Sequence, residues 1–173
     1  MNFQNVWLKY GVISGLALIA SSIITFYLID FGIFTNALLV FGIMVVFMVI
    51  GGLEFRKENQ NVMLYGEAFK VTFLTGIISL LISTTFTYVL VSFIDEGLLD
   101  IVIEKTIEST QNLLTTLNAP EAEIDEAIEG IEDAMVKQFS LGGILQGLFS
   151  NAVICAILAA IVSIFLRKDE KPV

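Results

Sequence analysis

The sequence predicts an all-α polytopic membrane protein with four transmembrane helices and an extramembrane helical hairpin between helices three and four. Three observations carry that expectation. Four stretches, roughly residues 11–29, 33–53, 71–94 and 140–166, contain no Asp, Glu, Lys, Arg or His, and each is long enough for a bilayer core that takes about 20 apolar residues to cross. The acids gather in a single insert: residues 95–139 hold twelve acids and two lysines, a local charge of −10 against −9 for the whole chain. The other seven lysines and arginines fall on alternate connections, which is the pattern of a positive-inside protein.

Composition agrees. Hydrophobic residues make up 56% of the 173 residues, more than a soluble domain of this size carries. The second stretch alone has thirteen Leu, Ile, Val or Phe residues. At the per-residue insertion energies of a helix centre they favour insertion by roughly 4–8 kcal/mol. Asn36, near the end of that helix, costs little. We therefore expect one membrane domain over residues 1–173, with spans at about 6–29, 33–53, 68–94 and 141–166 and an acidic extracytoplasmic insert at 95–139.

With the N-terminus in the cytoplasm, Lys9, Arg56, Lys57, Lys70, Arg167, Lys168 and Lys171 lie inside, and only Lys105 and Lys137 lie outside. Seven against two sets both termini in the cytoplasm. The first stretch follows a poor signal-like n-region, with Lys9 as its only cation, so it is read as a retained anchor. Trp7, Lys9 and Tyr10 suit the interface, where amphipathic rings and snorkelling amines are favoured.

Helix one is expected to run from near Asn5 to the region of Tyr27. The short turn Asp30-Phe31-Gly32 makes helices one and two an antiparallel hairpin. Helix two is expected to end at Gly51-Gly52, before a polar loop from Glu54 to Asn61. Helix three then runs to about Ile94.

In the insert, Leu99, Ile103, Ile107, Leu114 and Leu117 recur at helical spacing on one arm. Asn118-Ala119-Pro120-Glu121 reads as the start of the other, with Asn118 as its cap. Ile124, Ile128, Ile131 and Met135 form that arm's apolar stripe. The two stripes fit a hairpin zipped against itself with its acids in water, or a docking module. The external negative charge disfavours nucleic acid as a partner.

Small and polar residues mark helix-packing or partner interfaces. Gly143, Gly147, Asn151, Cys155, Ala159 and Ser163 recur every four residues in helix four. Such a row drifts about 40° per step on a straight helix, so three or four members share one contact but not all six. Gly11 and Gly15, followed by Ser22, form the corresponding device in helix one. Thr72, Thr75, Ser79 and Ser83, with Gly76 alongside, form it in helix three. These rows serve packing within the chain, a homo-oligomer seam, or a groove for a lipid or a partner helix.

Chemistry is sparse. There is no histidine and one cysteine, which leaves no zinc, haem or Cys–His site, and no cofactor is expected. No ionisable group lies near a span centre and no proline breaks a span, which argues against a coupled transporter. Glu54, Glu58 and Glu67 stand near Arg56, Lys57 and Lys70, an arrangement that reads as an interfacial charge belt or, less simply, a phosphate or metal site. No enzyme is expected.

Tyr65-Gly66-Glu67-Ala68-Phe69-Lys70, running into Val71-Thr72-Phe73-Leu74-Thr75-Gly76, resembles a bacterial family of small membrane proteins, domain of unknown function 4199. The family motif falls on Gly66, Glu67, Ala68, Phe69 and Lys70. The resemblance extends over nearly the whole layout and implies a multi-pass protein of the bacterial inner membrane. It further implies an accessory or scaffold role beside a membrane protein partner such as a polyprenyl-phosphate glycosyltransferase. The alternative is a lipid-binding or lipid-translocating protein with a groove along helices three and four.

Overall fold

The computed structural model describes residues 3–28, 32–95 and 97–168. Among the described residues seven α-helices follow in order: α1 Phe3–Tyr27, α2 Gly32–Glu58, α3 Tyr65–Val89, α4 Leu98–Thr116, α5 Glu121–Glu129, α6 Ile131–Phe139 and α7 Leu141–Leu166. No strand occurs among the described residues. Four segments, Val6–Tyr27, Thr35–Glu58, Tyr65–Ile94 and Leu141–Leu166, are long and apolar enough to cross a membrane. The expected turn at Asp30-Phe31-Gly32 falls largely outside the described residues.

α3 is the central post, packed against α1, α2 and α7. Its inner face meets Met44 and Met48 of α2 and Cys155 and Ala159 of α7, all fully buried. Gly76 makes this possible: a Cβ there would strike Cys155 Sγ and Met48 Cε. The outer faces are apolar and bare. Leu38, Phe93, Phe149 and Phe165 are each 70–79% exposed. In water that surface would be an aggregation hazard, whereas in hydrocarbon it is in its own solvent.

Hydroxyls are found inside instead. Thr72, Thr75, Ser79 and Ser163 are fully buried, and each returns a hydrogen bond to its own or a neighbouring helix. Thr72 Oγ1 lies 3.2 Å from Ser163 Oγ, which ties α3 to α7.

At the terminal end of the bundle, a short antiparallel bridge pairs Met63 with Lys168 through two N–H···O bonds of 2.9 Å. The loop between α2 and α3 is thereby fastened to the exit of α7. α2 runs past Gly51 and Gly52 to Glu58, a correction to the expected end. These glycines serve close approach, not termination: a Cβ on Gly51 would lie 3.2 Å from the Tyr10 ring, and one on Gly52 would strike Leu166. The helix stops where Gln60 takes a positive φ of 54° and Asn61 N–H closes on the Arg56 carbonyl at 2.9 Å.

At the other end, α3 continues into one π turn, Leu90–Ile94, and the insert folds back on the bundle. Leu98 is buried with Leu90 and Val91, against Phe26, Phe86 and Phe139. Asp95 accepts a 2.6 Å hydrogen bond from the Tyr27 hydroxyl. The insert is a hairpin of α4 against α5 and α6, with Ile124, Ile128, Ile131 and Met135 half-buried along the seam while their neighbours are exposed.

Two details of the insert differ from expectation. Its second arm is two nine-residue helices that meet at Gly130. Asn118 caps the preceding helix, not the following one. It holds φ 56° just beyond α4, with Ala119 N–H bonded to the Leu114 carbonyl and Asn118 N–H to the Thr115 carbonyl, both at 3.0 Å. That is a Schellman closure, in which asparagine substitutes for the usual glycine; Pro120 takes the N-cap of α5.

Candidate functional site

The small-residue rows divide by position. In α1, a Cβ on Gly11 would lie 2.8 Å from Ile78 Cβ, and one on Gly15 would lie 2.8 Å from Ile82 Cβ. Ser79 Oγ donates to the Gly11 carbonyl at 3.2 Å and to the Thr75 carbonyl at 2.9 Å. The two glycines of this row are consumed by the α1–α3 contact, while Ser22 lies further along.

The row in α7 splits, as the 40° drift per step requires. Cys155, Ala159 and Ser163 are buried against α3. Gly143, Gly147 and Asn151 turn elsewhere. Gly143 is pressed against the last turn of α6, where a Cβ would strike the Lys137 carbonyl. Ser140 secures that corner: its hydroxyl donates to the Lys137 carbonyl at 2.6 Å and accepts from Gly143 N–H at 3.2 Å. Gly147 has nothing within 4 Å of its missing Cβ.

Gly147 opens instead onto a groove of about 210 Å³ between α1, α3 and α7, roofed by α6. Its apolar lining includes Leu18, Val40, Phe139 and Leu148; its polar lining includes Ser22, Ser83, Thr84, Thr87, Gln138 and Asn151. Ser22 and Ser83 satisfy themselves on the carbonyls of Leu18 and Leu80. Among the described residues the side chains of Thr84, Thr87, Gln138 and Asn151 make no hydrogen bond. Asn151 is the deepest of these, about 15 Å along α7 from Leu141 at 1.5 Å per residue. That is about half the thickness of a hydrocarbon core.

Of the groove's lining, sequence reasoning singled out Ser83, Gly147 and Asn151, and noted Ser22. It missed Thr84, Thr87 and Gln138. The run from Ser83 to Thr87, with four hydroxyl residues in five positions, is the signal that could have found most of them.

The expected charge belt does not converge. Glu54 receives Lys9 Nζ at 2.9 Å and the Tyr10 hydroxyl, and Lys9 lies 4.9 Å from the Tyr10 ring centre. Arg56 donates to the Leu166 carbonyl at 3.3 Å. Glu67 accepts the Leu64 N–H at 2.9 Å and so caps α3. Among the described residues no three Asp, Glu, His or Cys side chains converge on a metal position.

The motif at the head of α3 is mostly structural. Ala68 is fully buried, and Phe69 stacks on Phe73 with ring centres 5.5 Å apart. Lys70 is exposed. Gly66 is exposed, with nothing within 4 Å of its missing Cβ.

Four apolar spans around a hydroxyl-lined interior, with lipid-facing outer surfaces, define a helical multi-pass membrane protein. A family described as "Protein of unknown function (DUF4199)" matches residues 9–168, and the chain belongs to it. No curated protein and no solved structure matches the chain.

Proposed function

We propose that this protein is a non-enzymatic membrane protein that holds a lipid-like amphiphile in the groove between α1, α3 and α7. The observation that supports this most directly is the unpartnered amide of Asn151 at the groove's inner end. An amide left bare in hydrocarbon costs several kcal/mol, so the position calls for water or a ligand's polar group. The mixed lining, with apolar and hydroxyl- or amide-bearing side chains side by side, matches an amphiphile. It offers Ser, Thr, Tyr, Asn and Gln but no general base suited to neutral pH, which is why binding is preferred to catalysis. Native mass spectrometry of the detergent-purified protein tests this: bound lipid is expected on the wild type and lost in Gly147→Leu, which fills the groove. A wild type that carries no lipid from any native membrane extract sinks the reading.

The topology that goes with it places both termini in the cytoplasm of a bacterium and the insert beyond its inner membrane, supported by the seven-to-two distribution of basic residues.

A second reading is the accessory subunit, docked to a membrane partner such as a polyprenyl-phosphate glycosyltransferase or to another copy of this chain. What favours it is Gly66, exposed at the head of α3 with no packing role. Loss of co-purifying protein or of oligomer in Gly66→Leu is the expected result; an unchanged complex counts against it.

A further inference from the structure

Outside the corner between α6 and α7 lies a second hollow, of about 330 Å³, walled by Ala134, Lys137, Gln138, Gln146, Gly147 and Ser150 among others. It shares Gln138, Gly143 and Gly147 with the groove, and two of those three have no side chain to divide the spaces. The hollow sits over the first turns of α7, where the span meets the membrane surface, while the groove runs inward to Asn151.

Lys137 is one of only two cations in the insert. The other, Lys105, is turned to the Phe26 carbonyl at 3.4 Å. Among the described residues the Lys137 ammonium makes neither an ion pair nor a hydrogen bond. This holds although Asp133 stands four positions earlier on the same helix, at the spacing where such pairs form readily.

Resting on the groove reading above, we propose that the two hollows are one site for a zwitterionic phospholipid, with its phosphodiester at Lys137 and one chain in the groove. Gln146 and Ser150 supply further donors to the phosphate oxygens. Lysine is a point-charge phosphate binder, and hydrogen bonds to an ionised oxygen are the stronger kind. The insert's charge of −10 opposes any ligand of net negative charge. A headgroup ammonium directed toward those acids removes that opposition, which an anionic phospholipid or a pyrophosphate cannot do. A lipid without phosphate leaves Lys137 unpaired.

Full-length protein, delipidated in detergent, is offered equal amounts of phosphatidylethanolamine, phosphatidylglycerol and diacylglycerol of matched chains, and retention is read by native mass spectrometry. Phosphatidylethanolamine is expected to be retained about tenfold over diacylglycerol, the worth of roughly one charge-assisted hydrogen bond, and above phosphatidylglycerol, whose phosphate meets the same lysine but whose net charge the acidic insert repels. Lys137→Gln is expected to bring it down to the diacylglycerol level and to leave diacylglycerol unchanged. Phosphatidylethanolamine retention unaffected by Lys137→Gln overturns the headgroup site while leaving the groove reading intact. Phosphatidylglycerol held as tightly as phosphatidylethanolamine overturns the zwitterion. Retention of none of the three overturns both.

Discussion

Ser79 of α3 donates its hydroxyl to the backbone carbonyl of Gly11 in α1 at 3.2 Å. A side chain reaches a neighbouring helix's main chain at that distance only because Gly11 has no Cβ to hold the helices apart. The contact therefore joins packing and hydrogen bonding at one point.

Gly11→Ala is accordingly expected to destabilise the fold by about 1–3 kcal/mol, because Ile78 Cβ must give way. Gly42 has nothing within 4 Å of its missing Cβ, so Gly42→Ala is expected to leave stability unchanged or raise it slightly. Denaturant unfolding in mixed micelles compares the two; equal effects would show that the α1–α3 seam is not close-packed.

Cys155 is fully buried and free, facing Gly76 across the α3–α7 contact. It is expected to resist a small maleimide in intact micelles and to react once the bundle is unfolded. In Gly76→Leu the helices must part, and labelling of Cys155 before denaturation is the expected result. Continued protection would mean that the contact absorbs the larger side chain.

The ion pair of Lys9 with Glu54 joins partly exposed groups, with side chains 47% and 27% exposed, and such pairs contribute little. Glu54→Gln is expected to lower the melting temperature far less than Gly76→Leu does. The reverse order in a thermal scan would assign the terminal end a larger share of the stability.

Asn118 at φ 56° accepts glycine without strain and rejects a β-branched residue. Asn118→Gly is expected to preserve the insert, and Asn118→Val to lower helicity by destabilising the end of α4 by roughly 1 kcal/mol. Circular dichroism of these two and of Asn118→Ser distinguishes this from a simple N-cap role, because serine caps as well as asparagine but is disfavoured relative to glycine at positive φ.

A single cysteine at Glu126, in a Cys155→Ser background, tests the orientation. An impermeant thiol reagent is expected to label it from outside intact inner-membrane spheroplasts; labelling only after lysis reverses the topology.

What the sequence disclosed, and what it withheld, follows from the physics of each signal. Charge is excluded from hydrocarbon, so the four spans stand out as charge-free runs whichever way each helix is rotated. The acidic insert was visible for the same reason, and Ile124, Ile128, Ile131 and Met135 gave its seam by spacing alone. Glycine is ambiguous, because it can end a helix or admit a neighbour. Gly51 and Gly52 admit Tyr10 and Leu166, partners more than 40 residues away in the chain that no local pattern reveals. Asn118 was recognisable as punctuation, but whether it closes α4 or opens α5 depends on one backbone angle. The groove depends on where the α7 row drifts off α3. The row was legible, but the side facing Ser22 and Thr84 was not, and Lys137 was counted only toward the topology because its lack of a partner is a matter of packing.

The clasp between Met63 and Lys168 bears on assembly. It joins the last span to the rest at the far end from the insert, Thr72 with Ser163 reinforces that end, and Cys155 packed on Gly76 joins α7 to α3 again nearer mid-span. Continuity of the polypeptide through the insert is thus not what keeps α7 in place. A chain severed at the exposed bend near Ala119 should behave as two complementing halves that find each other within the bilayer when co-expressed. That makes the bend a natural place to graft reporters or to exchange one lobe for another.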